Sequence, residues 1–506
     1  MYVSARSGNE SNHLPRRSVG ERSRPTEKRC RVLVFGTVGP ARSCTVSFVD
    51  GSEAALAVAA EQARLYLASL DARPVPPNAG FAEVRERFGY PLPREGMTAE
   101  RVVAELAGGV ADALMAMSGG RFFGFVVGGT LPAALAADWL VAAWDQNTGL
   151  AGPSPGTAAV EDVAAGWLVD VLGLPLETSV GFVTGGQMAN FTCLAAARHH
   201  ALAAVGWDVE VGGLNGAPAV RVVTGEQRHA TIDVALRYLG LGRAETVASD
   251  SQGRLRPDAL ERVLAGSEGP LIVCAQAGNI NTGAVDPLDQ LVEIVHGHGG
   301  WMHVDGAFGL WAAASARRRG LLAGYKQADS WATDAHKWLN TPYDCGLAFT
   351  AHAASHRAAM SVDAAYLVQG VGRDGLDWAP EFSRRARGVP VWAALRSLGS
   401  DGVEDLVDRC CDHATRFADT LRTMPGTEVL NDVVLNQVLV RFVDPDGDHD
   451  GRTKAVLAAI QADGTCYPTG STWHGMSVIR ISVSNWRTTE DDVDRSLEAI
   501  RRVLTR

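Results

Sequence analysis

The sequence predicts an α/β fold, in which helices cover both faces of a mostly parallel sheet, followed by a smaller C-terminal α+β domain. Between residues 181 and 350, short apolar runs alternate with helical stretches, and strands that are joined through helices run parallel. Past Arg384 the order changes, because helices come first and strands follow them. The strands predicted for the large sheet are 181–183, 219–224, 271–275, 301–304, 330–333 and 346–350.

The chain before this sheet is predicted to be helical after a disordered start. Residues 1–48 are rich in Arg, Ser and Glu and contain no secretory signal, which indicates a disordered extension or a start codon assigned too far upstream. Helices are predicted over 51–70, with Ser52 as the N-cap, and over 98–117. We therefore assign residues 49–140 to an N-terminal helical segment.

Helical and strand patterns also divide the rest of the chain. An apolar stripe over 160–172 predicts an amphipathic helix. The elements predicted further on are helices at 390–398, 403–424 and 490–504 and strands at 437–442 and 477–483. Together they indicate a large domain over 141–385 and a small α+β domain over 386–506.

The composition excludes several classes of protein. The 506 residues carry a net charge of −10 without a basic stripe, which argues against a nucleic-acid partner or an anionic membrane surface. No apolar run reaches the length of about 20 residues that a transmembrane helix needs. The eight cysteines lack metal-site spacing and suggest no disulfide framework, so we expect no metal, reduced thiols and a cytoplasmic location.

Two predicted strands lead into residues that suit an anionic, planar ligand. Gly185 and Gly186 form a turn before a helix that begins near Gln187, and the free N–H groups of such a turn attract an anion, most often phosphate. The same turn is common in α/β proteins that bind nothing there. His229 follows the strand 219–224 at the start of a helix, where an imidazole either stacks on a planar ring or has a structural role.

A third strand ends in a carboxylate, Asp305, which precedes the small residues Gly306 and Ala307. A buried carboxylate needs a cationic partner, and no Lys or Arg is close in sequence. A protonated pyridine nitrogen would serve, with Ala307 small enough for a ring to lie against it. The alternatives are a helix N-cap or a structural ion pair.

The fourth candidate is Lys337, which follows His336 in an apolar and aromatic segment. Because burial of an ammonium is costly, such a lysine either reaches water or is held neutral and nucleophilic. A neutral amine can form a Schiff base with an aldehyde. An anion turn, a stacking histidine, a carboxylate for a pyridine nitrogen and a Schiff-base lysine are together the parts that hold pyridoxal 5′-phosphate.

Six segments resemble the group II pyridoxal-phosphate-dependent amino-acid decarboxylases, the family of the aromatic amino acid, glutamate, histidine and diaminobutyrate enzymes. They are T-G-G-Q-M-A-N, Q-R-H-A-T, N-T-G-A-V-D-P-L, H-V-D-G-A-F-G, A-D-S-W-A-T-D-A-H-K-W-L-N-T-P-Y-D-C-G and S-R-R-A-R. The likeness covers residues 55–505. It implies the aspartate-aminotransferase-like (type I) fold with a seven-stranded sheet, and a homodimer with active sites at the subunit interface.

The resemblance also implies roles at the matching positions. Lys337 would carry the cofactor as a Schiff base, Asp305 would pair with the pyridine nitrogen, and His229 would stack on the ring. Ala307 would lie on the other face of the ring. The remaining predicted cofactor contacts are Gly185, Gly186, Gln187, Asn279, Thr282, Asp334 and His336. The loop at the end of the strand 271–275 departs from the family, which commonly has G-T-T where this chain has Gly278-Asn279-Ile280.

The loop 122–130 is expected to line the substrate pocket, partly from the partner subunit. Its predicted substrate residues are Phe122, Phe123, Phe125 and Thr130. The three phenylalanines favour an apolar or aromatic amino acid if they face the pocket, and they are equally consistent with core positions.

A second departure concerns the proton that Cα receives after CO₂ leaves. Many relatives place a tyrosine for this step in a mobile loop before Ser383, whereas this chain has Gly375 near that position and its nearest tyrosine is Tyr366. We expect a simple decarboxylase that acts on an amino acid. The alternative is an oxidative deaminase that forms an aldehyde after decarboxylation, and an aminotransferase or a catalytically silent binding protein is less favoured.

Overall fold

The computed structural model describes residues 51–266, 268–362 and 372–505. The extension predicted over 1–48 and the tyrosine Tyr366 lie outside the described residues.

The described elements belong to the unit Ala54–Arg506, except for the start of the first helix, which falls in the unit Met1–Glu53. The helices are α1 (Ser52–Ser69), α2 (Phe81–Phe88), α3 (Ala99–Val110), α4 (Pro132–Trp144), α5 (Pro155–Leu172), α6 (Gly186–Ala203), α7 (Val209–Gly212), α8 (Ala230–Tyr238), α9 (Pro257–Leu264), α10 (Leu288–Gly297), α11 (Ala353–Met360), α12 (Gly388–Arg422), α13 (His449–Asp463) and α14 (Glu490–Leu504). The strands are β1 (Ser179–Val183), β2 (Arg221–Gly225), β3 (Glu245–Val247), β4 (Leu271–Gln276), β5 (Trp301–Asp305), β6 (Ser330–Asp334), β7 (Gly346–Thr350), β8 (Thr427–Val429), β9 (Gln437–Phe442), β10 (Thr469–Trp473) and β11 (Met476–Ser482).

The large sheet has the strand order β1-β7-β6-β5-β4-β2-β3. Only β7 runs against its neighbours β1 and β6 in this sheet, and the other described strand pairs are parallel. The predicted α/β fold with a mostly parallel, seven-stranded sheet is therefore confirmed. The strand β3 was missed because only one of its three residues, Val247, is buried, so its sequence carries no apolar run.

Apolar layers cover both faces of this sheet. Because successive side chains of a strand point to opposite faces, Val223 and Val273 join one buried cluster. Val222 and Ile272 join a second cluster, which includes side chains of α6 and α8. Burial on both faces explains why the central strands read as continuous apolar runs.

Helix boundaries differ from the prediction where glycine and proline intervene. The helix α5 begins at Pro155, before the predicted range 160–172, since proline suits the first turn of a helix, and it ends before Gly173 in the left-handed region at φ 59°. The helix predicted over 98–117 ends at Val110, which is a correction. Gly108 and Gly109 weaken the helix at this point.

The C-terminal part contains a second, antiparallel sheet with the order β10-β11-β9-β8. The strand β9 and the helix α14 have the predicted bounds. The predicted helices 390–398 and 403–424 are the two halves of α12, which is interrupted at Gly399 with φ 66° and ψ 178°. In the sequence, the strands of the large sheet come before residue 385 and those of the small sheet come after it. The domain boundary at residue 385 stays a prediction.

A buried ion pair connects α5 with the segment that leads into α12. Arg384 and Glu161 are each 1% exposed in their side chains, and Arg384 Nη1 lies 2.6 Å from Glu161 Oε2. Arg384 also donates to the carbonyl oxygens of Thr148 and Phe182, and the backbone N–H of Gly388 donates to Glu161. The pair thus joins α5, β1 and α12 in the interior of the protein.

Removal of one partner of this pair should destabilise the protein. In E161Q the Arg384 guanidinium stays buried without its counter-charge, so we expect the free energy of unfolding to fall by about 3–5 kcal/mol. The control is R385Q, which breaks the partly exposed pair of Arg385 with Asp138 and should cost at most about 1 kcal/mol. Chemical denaturation followed by circular dichroism measures both variants. Equal losses in the two variants would contradict the stabilising role of the buried pair.

Candidate active site

The carboxyl ends of the parallel strands bring the predicted site residues to one edge of the large sheet. Asp305 is the last residue of β5 and Asp334 is the last residue of the neighbouring strand β6. The backbone N–H of Asp334 donates to the carbonyl of Ala307 at 3.0 Å. Because β7 is antiparallel, its first residue, Gly346, lies at the same edge and is opposite both Asp334 and Val183.

Lys337 lies in the turn that follows β6, between two residues that fix its position. Trp338 is 1% exposed and anchors the turn in the core, while His336 accepts a hydrogen bond from the backbone N–H of Cys345. Lys337 Nζ is 2.9 Å from Asp334 Oδ2, and His336 Nε2 is 3.5 Å from Asp334 Oδ1. Burial lowers the pKa of His336, against the opposing effect of Asp334.

The predicted anion turn lies beside the same carboxylate. Gly185 is the N-cap of α6, and Gly186 and Gln187 belong to its first turn, whose N–H groups have no partner within the helix. A Cβ atom at Gly186 would lie 2.7 Å from Asp334 Oδ2, so the glycine permits the close approach. Asp334 thus places a negative charge near the positive end of α6, and Lys337 compensates that charge.

Asp305 and His229 face the same cavity from two strand ends. Asp305 is 4% exposed, and its Oδ1 accepts the backbone N–H of Ala307 at 3.2 Å. Burial raises the pKa of Asp305, while His229 and Lys337 act in the opposite direction. His229 is the N-cap of α8, and its Nδ1 accepts the backbone N–H of Thr231 at 3.3 Å.

Asn279 and Thr282 shape the loop that follows β4. Asn279 accepts the backbone N–H groups of Asn281 and Thr282 and donates to Gln276 and to the carbonyl of Gln227. The Thr282 hydroxyl donates to the carbonyl of Gln252. Both side chains are therefore engaged inside the protein, and their contact with a cofactor stays a prediction.

The predicted substrate residues divide into two groups. Phe122 and Phe123 are buried core residues, stacked on Tyr467 and packed edge-on against Phe417 respectively. Phe125 is 57% exposed and has a left-handed backbone with φ 57°. Thr130 is partly buried, and its carbonyl accepts the indole N–H of Trp486. Of the three rings, Phe125 is thus the one with surface available to a substrate.

The loop 122–130 nevertheless reaches the lysine segment. A Cβ atom at Gly128 would lie only 1.8 Å from the carbonyl oxygen of Lys337, so the two backbones touch there. The backbone N–H of Gly129 donates to Asn340 Oδ1 at 2.5 Å. Asn340 also accepts the backbone N–H of Trp486 and donates to the carbonyl of Ser484, just after β11. Asn340 was missed in the sequence because its role depends on contacts far apart in the chain.

Arg480 on β11 is a further residue that the sequence did not single out. It is 7% exposed, and its Nη1 donates to the carbonyl of Ile280 at 3.2 Å. Burial lowers the pKa of Arg480 to about 10. Among the described residues no carboxylate pairs with it, so a cation is held beside the loop that follows β4.

The sequence of this chain is similar to those of known amino-acid decarboxylases and an aldehyde synthase. Residues 85–443 match the pyridoxal-dependent decarboxylase conserved domain. The acidic amino acid decarboxylase GADL1 of Mus musculus is 28% identical over 337 residues, which are 64% of this chain and 60% of the mouse protein. The aromatic-L-amino-acid decarboxylase of Bacillus atrophaeus is 27% identical over 74% of this chain and 78% of its own length. The phenylacetaldehyde synthase of Arabidopsis thaliana is 26% identical over 69% and 74%.

Solved structures show the same fold. Oryza sativa TDC with PLP and tryptamine has a TM-score of 0.83 at 23% identity and covers 93% of this chain and 99% of its own. The 4-hydroxyphenylacetaldehyde synthase of Rhodiola rosea has a TM-score of 0.79 at 22% identity, with 90% and 97% covered. The fold is thus that of pyridoxal-phosphate enzymes of the aspartate-aminotransferase-like type. The chain belongs to the pyridoxal-dependent decarboxylase family, whose cofactor is pyridoxal 5′-phosphate.

The residues at the sheet edge fit this cofactor. Asp305 is a buried carboxylate without an Arg or Lys ion pair among the described side chains, as a partner for a pyridinium nitrogen must be. The first turn of α6 offers backbone N–H groups suited to phosphate, and the absence of a side chain at Gly186 brings this turn close to Asp334. Lys337 is the amine at the same edge.

The contact of Gly128 with the lysine turn yields a test of the site geometry. A methyl group at residue 128 has to displace the Lys337 backbone, and a shift of about 1 Å at a reacting group costs about 100-fold in rate. We expect G128A to lose most of its activity and to retain less cofactor, measured by visible absorbance after dialysis. The control is G152A, because a Cβ atom at Gly152 meets nothing within 4 Å. A G128A protein that matches G152A would refute this contact.

Proposed function

We propose that the protein is a pyridoxal-phosphate-dependent L-amino-acid decarboxylase that releases CO₂ from an amino acid bound to the cofactor at Lys337. One observation carries the proposal: an amine and a buried carboxylate, Lys337 and Asp305, lie at the carboxyl ends of neighbouring strands. Burial raises the pKa of Asp305, and the nearby Lys337 opposes this rise. Membership of the decarboxylase family supports CO₂ loss over other reactions of this cofactor.

When bound, pyridoxal 5′-phosphate supplies an electron sink for the bond to CO₂. Asp305 would hold the proton on the ring nitrogen, because a carboxylate in a buried site favours a cationic partner over an uncompensated charge. The backbone N–H of Ala307 directs one oxygen of Asp305, which fixes the orientation of the carboxylate. His229 and Ala307 would lie on opposite faces of the ring.

Lys337 has to lose a proton before it can bind an aldehyde. Asp334 Oδ2, which lies 2.9 Å from Nζ, holds the amine at the strand end. Gly185, Gly186 and Gln187 would bind the phosphate through α6, with Asp334 and His336 beside it. Asn279 and Thr282 would support the cofactor through the loop that they hold.

The roles of Lys337 and Asp305 can be separated by two variants. We expect K337A to lose covalent cofactor and with it essentially all activity, since no other amine replaces the nucleophile. We expect D305N to keep the lysine but to lose about 100-fold or more in kcat, because a neutral amide does not hold the nitrogen proton. Visible absorbance before and after borohydride reduction and CO₂ release measure the two effects. Parent-like activity in K337A would exclude the proposal.

A second activity is supported by the position of Gly375. The residue lies in a buried turn, Gly375–Asp377, where a Cβ atom would be 2.5 Å from the carbonyl oxygen of Thr148. A tyrosine at this place has no room, so a donor for Cα has to come from another residue. Without one, O₂ can divert the reaction to an aldehyde, ammonia and H₂O₂. The relatives named phenylacetaldehyde synthase and 4-hydroxyphenylacetaldehyde synthase support this alternative.

Two features bear on the substrate. Buried Arg480 supports an amino acid with an acidic side chain, because its charge has no carboxylate partner among the residues described. Exposed Phe125, together with Thr130, supports an apolar or aromatic side chain if this loop lines the pocket. Relatives named for acidic and for aromatic amino acids occur at almost the same identity, so they favour neither class.

A panel of amino acids decides substrate and reaction together. We expect CO₂ and amine in equal amounts from a single side-chain class, and R480Q to impair turnover only if that class is acidic. Ammonia and H₂O₂ are scored in parallel, with the same assay under nitrogen as the control. Aldehyde, ammonia and H₂O₂ in place of amine would establish the oxidative reaction instead. Transfer of the amino group to a keto acid without CO₂ would exclude both.

A homodimer is also proposed. The helices α1, α2 and α3 contain no buried residue, and apolar side chains such as Leu56, Phe81 and Leu106 are exposed there. A second copy of the chain would cover this surface.

No described helix is long and apolar enough to cross a membrane. The described cysteines are free and buried, which supports the reducing environment of a cytoplasmic location.

A further inference from the structure

A buried hydrogen-bond chain runs behind Asp305, through residues without a role in the site described above. Asn190, on α6, is 1% exposed. Its Nδ2 donates to Asp305 Oδ2 at 3.3 Å and to Thr231 Oγ1 at 3.1 Å. A primary amide has two N–H donors, and these contacts use both. The second oxygen of Asp305 is bound by the N–H of Ala307, so both carboxylate oxygens have a fixed donor.

The other end of Asn190 is held by His303, which is completely buried in the centre of β5. His303 Nε2 is 2.9 Å from Asn190 Oδ1, and His303 Nδ1 is 2.9 Å from Ser330 Oγ. Trp301 Nε1 donates to the same Ser330 oxygen at 2.9 Å. Trp301, Ser330, His303 and Asn190 thus form a continuous chain that ends on Asp305, which we call the Asn190–His303 relay.

The position of each proton in the relay follows from the charge of Asp305. An ionised carboxylate only accepts hydrogen bonds, so the NH₂ group of Asn190 has to face Asp305 and its oxygen has to face His303. His303 therefore carries its proton on Nε2. Burial lowers the pKa of His303 to about 3, so the ring is neutral and Nδ1 accepts the Ser330 hydroxyl proton. Ser330 in turn accepts from Trp301.

The same logic extends to His229. Because Thr231 Oγ1 accepts from Asn190, its own proton is free to point at His229 Nδ1, 2.9 Å away. His229 Nδ1 also accepts the backbone N–H of Thr231, so a neutral His229 carries its proton on Nε2. One amide, that of Asn190, thereby connects both predicted ring contacts.

We propose that Asn190 and His303 are positioning residues that keep Asp305 ionised and aimed at the cofactor nitrogen, and that fix the tautomer of His229. The inference rests on the proposed function, because it requires Asp305 to contact the cofactor. A carboxylate in this buried site would otherwise take up a proton and lose its attraction for the ring nitrogen. The relay supplies a donor that cannot rotate, since His303 holds the amide from behind.

Cofactor binding by the apo protein tests the relay without reliance on turnover. We expect N190L, which keeps the shape of Asn190 but none of its hydrogen bonds, to weaken pyridoxal 5′-phosphate binding by about 10- to 100-fold, the range for one hydrogen bond to a charged group. The matched control is T192V on the same helix. Thr192 is fully buried and its hydroxyl has no partner among the described residues. We therefore expect the Kd of T192V for pyridoxal 5′-phosphate to stay within about twofold of the parent value.

Variants of His303 distinguish a positioning role of this residue from a role in packing alone. H303F fills the same space without a donor, and we expect a weaker Kd and a lower kcat with little change in KM. H303Q can donate to Asn190 and accept from Ser330, so we expect it to recover most of the loss. The ¹⁵N shifts of labelled histidine should show His303 with its proton on Nε2, identified by the signal lost in H303Q. A proton on Nδ1, or equal losses in H303F and H303Q, would overturn the inference.

D305N, measured in parallel, distinguishes a failure of the proposed role of Asp305 from a failure of the positioning role of Asn190 and His303. Parent-like cofactor binding and turnover in D305N would overturn the proposed role of Asp305 and the relay with it. An impaired D305N beside parent-like N190L and H303F would overturn the relay alone. If the relay acts through Asp305, H303F should weaken binding by less than about twofold further in the D305N background, since coupled residues are not additive.

Discussion

The site depends on the burial of a carboxylate at the end of β5. Asp305 is 4% exposed, and burial raises its pKa, so its charge persists only where donors and cations surround it. The surrounding groups are the amide of Asn190 on α6, the N–H of Ala307 after β5, the ring of His229 at the start of α8, and Lys337 after β6. A pyridinium nitrogen would complete this set, in agreement with the proposed role of Asp305.

The same edge is held by contacts from distant parts of the chain. Asn340 joins the turn of Lys337 to the loop at Gly129 and to the segment after β11. Gly128 touches the Lys337 backbone directly. The lysine is therefore positioned by the N-terminal loop and the C-terminal sheet as well as by β6. Buried Glu161 and Arg384 add a connection between α5, β1 and the segment before α12.

The sequence predicted the elements whose pattern is local. Apolar runs such as 271–275 and 301–304 predicted the central strands, and the candidate residues that follow them lie at one edge of the sheet, because parallel strands end there. The strand β3 was missed because it lies at the edge of the sheet and only one of its residues is buried. The end of α3 was missed because the helical pattern of apolar residues continues past the glycine pair at which the helix stops. Phe122 and Phe123 were ambiguous because a ring in a loop does not reveal which way it points. The Asn190–His303 relay and the buried position of Arg480 could not be predicted from the sequence, because in each case a hydrogen bond joins residues that are more than 100 positions apart and form no local motif.

The geometry also separates the two halves of the proposed reaction. The residues proposed to promote CO₂ loss, Lys337, Asp305 and His229, are all at the strand ends, and a rigid sheet holds them. In the proposed reaction, a proton for Cα would have to come from a residue other than Gly375, since Gly375 is enclosed in a turn and has no side chain. Relatives named as decarboxylase and as aldehyde synthase resemble this chain equally well, at 27% and 26% identity. That similarity follows if both activities share the sheet edge and differ only in the residues that close over it.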